Sequence, residues 1–235
     1  MQQGQRTYRY FDFVMAAFVV VLVCSNLVGP AKAATLTLPL LGPVTFGAGA
    51  LFFPASYIFG DILTEVYGYA RARRVIWTGF AALLFASLMA AVVVALPPAP
   101  GWENQRVYEI AFGSTWRIAG ASMIAYFCGE FVNSYVLAKM KVASEGAYMR
   151  TRFVASTIAG EAVDSALFYP IAFWSSGLIP NDLVIALIFS QFVMKTLMEI
   201  AFLPLTTRVV NALKRAENAD HYDRSTDFNP FKLDL

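Results

Sequence analysis

Histidine and cysteine are nearly absent from this 235-residue chain, and charge is scarce. The one histidine, His221, sits in a polar C-terminal stretch, which excludes a histidine proton relay or a histidine-based zinc site within the apolar runs. Cys24 and Cys128 each lie in an apolar run, so neither a disulfide framework nor a metal cluster fits. No metal and no cofactor is expected. Charged residues make up 14% of the chain, whereas a soluble domain carries about a quarter. With 58% hydrophobic residues, lipid must cover much of the exterior. The net charge of +2 is too small to argue for nucleic acid. There is also no Walker motif, so any ATP coupling would need other chains.

What the chain does have is six apolar stretches long enough to span a bilayer, since roughly 20 residues cross the hydrocarbon core. They are Phe13–Gly29, Phe46–Tyr67, Ile76–Leu96, Ile118–Leu137, Phe153–Phe173 and Leu183–Leu205. The expected fold is all-α: a polytopic membrane domain of six transmembrane helices over residues 1–210, then a polar cytoplasmic tail, 211–235, expected to be loose. The strand-like Thr35–Leu40 segment between Pro30 and Pro43 fits a short hairpin. The start of the chain mimics a signal peptide, with Ala31-Lys32-Ala33 as its cleavage site, but is read as a retained span. Arg6, Arg9, Arg71, Arg73, Arg74, Lys139, Lys141, Arg150, Arg152, Arg208, Lys214 and Arg215 flank the spans on one side. Only Lys32, Arg106 and Arg117 lie on the other. The positive-inside rule then puts both termini in the cytoplasm.

Seven ionisable residues fall inside the expected spans: Asp61, Glu65, Glu130, Glu161, Asp164, Lys195 and Glu199. Each costs ~2.5–3.5 kcal/mol at a helix centre, so they require a reason. Asp61, Glu130, Glu161 and Glu199 each lie nine or ten residues from a basic residue at the inner boundary. At 1.5 Å per residue, that places one carboxyl from each of four helices in a layer about 13–15 Å deep. Asp61/Glu65 and Lys195/Glu199 are spaced i,i+4, while Glu130/Asn133 and Glu161/Asp164 are spaced i,i+3. Such pairs share a helix face, and Gln191 extends the Lys195/Glu199 stripe. Lipid cannot solvate these stripes, so they turn inward around a polar cavity. Asp164 and Lys195 make a plausible ion pair. A short internal echo, G-E-x-V-[N/D]-S, occurs at Gly129–Ser134 and Gly160–Ser165, on spans of opposite direction. Inverted repeats of that kind often flank a transport site.

Some of these residues have bland readings too. Gly60, Gly129 and Gly160 suit close helix packing, and Asn26 suits either interhelical bonding or ligand contact. Phe53, Tyr57, Phe127 and Tyr169 suit core packing or stacking on a flat ligand.

The run FFPASYIFGDILTEVYGY at Phe52–Tyr69 is followed by arginines at 71, 73 and 74. With GEFVNSY at Gly129–Tyr135 and RFVASTIAGEAVD at Arg152–Asp164, it resembles the signature of the queuosine precursor transporter family, also described as a vitamin uptake transporter family. That resemblance implies a six-helix protein of the bacterial inner membrane, similar in fold to substrate-binding subunits of energy-coupling-factor transporters. It implies import of 7-cyano-7-deazaguanine and 7-aminomethyl-7-deazaguanine, and no enzymatic activity. The partners expected are a deazapurine base and the bilayer, without nucleic acid; a homodimer is compatible with a bundle of this size. A deazaguanine offers two adjacent N–H donors that a carboxylate can take as a pair. Glu130 or Glu161 is therefore expected on the donor edge, with Asn133, Gln191 or Lys195 near the carbonyl. Asp164 holds Lys195, while Asp61, Asn26, Tyr57 and Phe53 complete the substrate set. Glu199 and Glu65 are candidates for proton coupling. Two alternatives stand beside this reading: the binding subunit of a multi-protein importer, and an intramembrane aspartyl protease using Asp61 and Asp164. For the latter the G-x-G-D pattern is incomplete, because position 58 is Ile58.

Overall fold

The computed structural model describes residues 8–27, 33–38, 42–47, 52–113, 116–175, 177 and 180–232. Helix α1 (Phe11–Leu27) leads to an antiparallel hairpin of β1 (Ala33–Leu38) and β2 (Gly42–Gly47). Its register runs from Ala33 opposite Gly47 to Leu38 opposite Gly42. Then come α2 (Phe53–Ile62), a wide π turn (Leu63–Tyr67), α3 (Tyr69–Ala95) and the short α4 (Gln105–Phe112). Helices α5 (Trp116–Ala143), α6 (Met149–Phe173) and α7 (Asn181–Glu217) complete the order. Among the described residues the regular structure is thus helical apart from one hairpin.

The hairpin was legible, but it takes more chain than expected. The second apolar stretch starts at Phe46, yet Gly42–Gly47 pairs as a strand, and α2 begins only at Phe53. Pro54 sits in its first turn, where a missing N–H costs nothing. At the other end Gly68 adopts φ 88°, which glycine reaches without strain. It stops the π turn and starts α3 with no loop between them. Arg71, Arg73 and Arg74, expected to lie in a loop, therefore occupy the first turns of α3.

The packing is inverted relative to a soluble protein. Phe13, Phe85 and Phe189 are 64–69% exposed, whereas Asp61, Glu65, Glu130, Asn133 and Glu161 are at most 1% exposed. An apolar exterior around a polar interior suits lipid as the surrounding solvent. By length and composition α3 and α7 are each able to cross a membrane, and α1 is a shorter apolar helix. An apolar cluster built on Phe18, Leu22, Val66 and Leu83 packs α1, the π turn and α3 together. Antiparallel α5 and α6 make the most extensive contact, and α7 packs on α6 and α2.

The tail is not loose. Helix α7 runs to Glu217, and residues 218–232 lie against the basic ends of α3 and α5. Asp223 accepts from the Tyr69 backbone N–H at 3.0 Å, and Arg73 donates to the Asp227 and Asn229 carbonyls at 2.7 Å each. Trp77 donates to the Pro230 carbonyl at 2.8 Å, and Lys139 sits 4.1 Å over the Phe228 ring. The Arg73 guanidinium is thereby buried, with its charge spread over backbone oxygens.

Candidate functional site

The four carboxyls expected at one level all turn inward and are buried: Asp61 from α2, Glu130 from α5, Glu161 from α6 and Glu199 from α7. What lets them approach is the absence of side chains at three glycines. A Cβ on Gly129 would lie 3.0 Å from both the Asp164 Cβ and the Gly160 carbonyl oxygen. One on Gly160 would lie 2.9 Å from both the Asn133 Cβ and the Gly129 carbonyl oxygen. A Cβ on Gly60 would collide with the Glu130 carboxylate, its Cδ being 2.8 Å away. The α5–α6 crossing is therefore backbone on backbone, and the Glu130 carboxyl lies flat on α2.

The bonds inside this core divide it in two. Between α6 and α7, Lys195 pairs with Asp164 and lies 3.2 Å from Glu161. The Tyr57 hydroxyl is within hydrogen-bonding reach of Glu161, and Thr157 donates to Glu199 at 2.6 Å. Between α2 and α5, Asn133 donates to Asp61 at 3.2 Å, and the Asp61 and Glu199 carboxyls are within reach of each other. Thr64 donates to Ser134 at 3.0 Å. Glu130 stands apart: both of its oxygens are buried without a hydrogen-bond partner. The Tyr126 hydroxyl, Asn133 Oδ1, Ser165 Oγ and Thr196 Oγ1 are likewise without a hydrogen-bond partner. Buried polar atoms are nearly always bonded, so a cluster of exceptions at one place marks a site that something else completes. Among the described residues no group of three or more His, Cys, Asp or Glu is arranged to hold a metal ion.

A second charge cluster sits toward the basic end. Glu65, on the π turn, accepts from Arg152 at 2.8 Å and from Lys214 at 2.6 Å, with Lys141 3.5 Å away. Lys141 also takes the Glu65 carbonyl at 2.6 Å, an acceptor exposed where the helix ends at Gly68. Asp220 from the tail bridges Lys141 at 2.5 Å and Lys214 at 2.8 Å. Burial would raise the Asp220 carboxyl, but the two lysines outweigh it and hold it below its ordinary value. Burial also opposes Asp223, yet His221, the Tyr69 N–H and Thr226 keep it low as well. Elsewhere, a groove of about 500 Å³ opens between the start of α6 and α7, lined by residues including Arg150, Thr207, Arg208 and Asn211. It holds none of the core acids.

Of the residues singled out in the sequence, the core brings together Asp61, Tyr57, Glu130, Asn133, Glu161, Asp164, Lys195 and Glu199. Gln191 is half-buried one turn before Lys195. The side chain of Phe53 lies outside the described residues. Asn26 is not gathered in: Ser122 donates to its Oδ1 at 2.7 Å, and its Nδ2 donates to the Leu22 carbonyl and Ser25. Glu65 belongs to the second cluster. Asp61 and Asp164 have different partners, Asn133 and Lys195, rather than each other. Tyr126 and Thr157 were missed, although each precedes a core glutamate by four residues, the spacing that shares a helix face.

The sequence pattern of the family described as "Putative vitamin uptake transporter" matches residues 47–209, which include every member of the core. The chain is 27% identical over 193 residues to the "Probable queuosine precursor transporter" of Bacillus subtilis strain 168, covering 82% of this chain and 80% of the relative. It is 29% identical over 169 residues to the "Queuosine precursor transporter" of Escherichia coli K12, covering 70% and 73%. A "Probable queuosine precursor transporter" of Haemophilus influenzae is 26% identical over 131 residues, covering 54% and 52%. No solved structure matches the chain.

Proposed function

We propose, from the premise that this chain belongs to the vitamin uptake transporter family, that it carries queuosine precursors across the bacterial inner membrane. The relatives' names favour queuosine precursors; on this reading the substrates are 7-cyano-7-deazaguanine and 7-aminomethyl-7-deazaguanine, whose paired N–H donors suit the acids of the core. The membrane domain uses six spans: α1, the hairpin with α2, α3, α5, α6 and α7. On this reading its fold is similar to that of the substrate-binding subunits of energy-coupling-factor transporters, as the family resemblance implies. The arginine- and lysine-rich ends, with both termini, face the cytoplasm.

One observation carries the proposal: five carboxyls are buried in a core whose lysine, Lys195, pairs with two of them, and the most enclosed, Glu130, has no hydrogen-bond partner. Unpaired carboxylate oxygens are acceptors only, and a guanine-like edge offers the N–H donors they can take. Glu130 or Glu161 reads the N1–H and exocyclic amine, while Asn133, Gln191 or Lys195 meets the carbonyl. Tyr57 and Tyr126 border the ring. Glu199, bonded to Thr157 and close to Asp61, is the carrier of choice for a coupled proton. Glu65 suits a structural role better, because three cations hold its charge in place.

The test is uptake of labelled 7-deazaguanine precursors into vesicles holding only this chain, with and without a pH gradient. Uptake by the chain alone supports a self-sufficient transporter, and its acceleration by an inward proton gradient supports Glu199 as the carrier. Uptake that appears only after adding partner ATPase subunits would select the binding-subunit reading instead. No uptake and no binding under either condition would reject deazaguanines as the cargo.

A further inference from the structure

The contacts at the α5–α6 crossing are reciprocal. Asn133 covers Gly160 as Asp164 covers Gly129, at 2.9 and 3.0 Å, and each glycine meets the other's carbonyl at those same distances. The G-E-x-V-[N/D]-S echo is thus a local two-fold relation between antiparallel helices, and it makes Glu130 and Glu161 equivalent positions. Their flanking helices are not equivalent. Beside Glu161 and Asp164, α7 brings the Lys195 ammonium. Beside Glu130 and Asn133, α2 brings Gly60, on which the Glu130 carboxyl lies, and an acid, Asp61. One half of the core is closed by an internal cation. The other half has a carboxylate at the matching position with no cation beside it.

We infer that Glu130 is the specificity-determining carboxylate, and that the ligand's paired N–H donors occupy there the place that Lys195 occupies at Glu161. This rests on the proposed transport of deazaguanines and sharpens it, since Glu130 and Glu161 were interchangeable on composition alone. A carboxylate with both oxygens free accepts two parallel N–H bonds, which a 2-amino-lactam edge presents in one plane. A ligand with only one of those donors leaves a buried oxygen unmatched, and that mismatch is the source of selection. The Tyr126 hydroxyl, buried without a partner one turn before Glu130, offers a further polar contact on the same side. Glu161 contributes differently: it fixes Lys195, and so acts as a positioning residue for whatever meets the ammonium.

The experiment compares binding of 7-deazaguanine with that of 7-deazahypoxanthine, which lacks the exocyclic amine, to purified full-length protein. Wild type should prefer the amine-bearing ring by roughly ten- to a hundredfold, the range for a hydrogen bond to a charged group. Glu130→Gln should bring that preference to within about threefold, because its amide offers one acceptor in place of two. Glu161→Gln should keep the preference even where overall affinity falls. Glu130→Asp, which retains both oxygens on a shorter arm, should bind more weakly yet keep the preference, separating donor reading from a folding defect. Preference lost in Glu161→Gln but kept in Glu130→Gln would overturn this assignment while leaving deazaguanine transport intact. A wild type that binds neither ring would overturn the transport reading, and the assignment with it.

Discussion

Glu65 and Glu130 are both fully buried carboxylates on packed helices, yet three cations surround the first and none reaches the second. Around Glu65 and Asp220 stand Arg152, Lys141 and Lys214, so positive charge exceeds negative and the bonds are short. In the core the balance reverses: Lys195 pairs with Glu161 and Asp164, while Asp61, Glu130 and Glu199 are buried without an ion pair to it among the described residues. Burying a charge is tolerable only when partners replace water. The first cluster pairs every charge within the chain, although Glu65 Oε2 and Arg152 Nε have no hydrogen-bond partner, and it joins α5, α6, α7, the π turn and the tail. The second leaves Glu130 without any ion pair or hydrogen bond. A cluster whose charges are all paired holds a fold together, and one with an unpaired acid is shaped for something that arrives.

The comparison breaks most visibly at Glu65. Glu65→Ala leaves Arg152 buried without its acid, while Lys141 and Lys214 keep Asp220, and should destabilise the protein by ~3–5 kcal/mol. Thermal unfolding in detergent reads this directly, and a variant that melts like wild type would show that the ion cluster holds nothing. Next comes Gly60→Ala, whose new methyl must displace the Glu130 carboxyl. Overpacking of that kind costs ~1–3 kcal/mol, and binding should fall because Glu130 moves. Unchanged binding would mean that Glu130 need not rest on α2. Glu130→Gln should change stability by less than ~1 kcal/mol in either direction, because no ion pair is broken. A loss as large as that of Glu65→Ala would place Glu130 with the structural cluster. The most local effect belongs to Asp223, whose carboxyl is held below its ordinary value in the folded chain. Its contribution is therefore complete above the unfolded carboxylate value near ~4 and disappears as pH falls through the lowered folded value. Hydrogen exchange at the Tyr69 amide should accelerate selectively in that acid window and in Asp223→Asn, by about the ~1 kcal/mol of one hydrogen bond. Exchange independent of both would detach Asp223 from tail docking.

Most of the core could be read from residue spacing. Depth counted from the basic boundary put Asp61, Glu130, Glu161 and Glu199 at one level, and i,i+3 and i,i+4 offsets gave each stripe a single face. Those rules assume regular helix, and they failed where the helix is not regular. Asp61 and Glu65 looked like one stripe, but the π turn at Leu63–Tyr67 widens the helix between them and turns Glu65 away toward the second cluster. The docked tail was hidden for another reason. Arg73, Trp77 and Tyr69 bind its backbone carbonyls, and a carbonyl carries no sequence signature. Asn26 shows the converse, since a polar residue in an apolar run satisfied itself locally through Ser122 and the α1 backbone.

The most direct measurement is the melting temperature of the purified protein titrated with 7-deazaguanine, beside adenine as a ring with a different donor pattern. If the core awaits a donor-bearing ligand, 7-deazaguanine at a hundred times its dissociation constant stabilises the fold by ~2.7 kcal/mol, a shift of several degrees that adenine does not produce. A melting temperature indifferent to both rings, or raised equally by both, would contradict a carboxylate core that lacks and selects its partner.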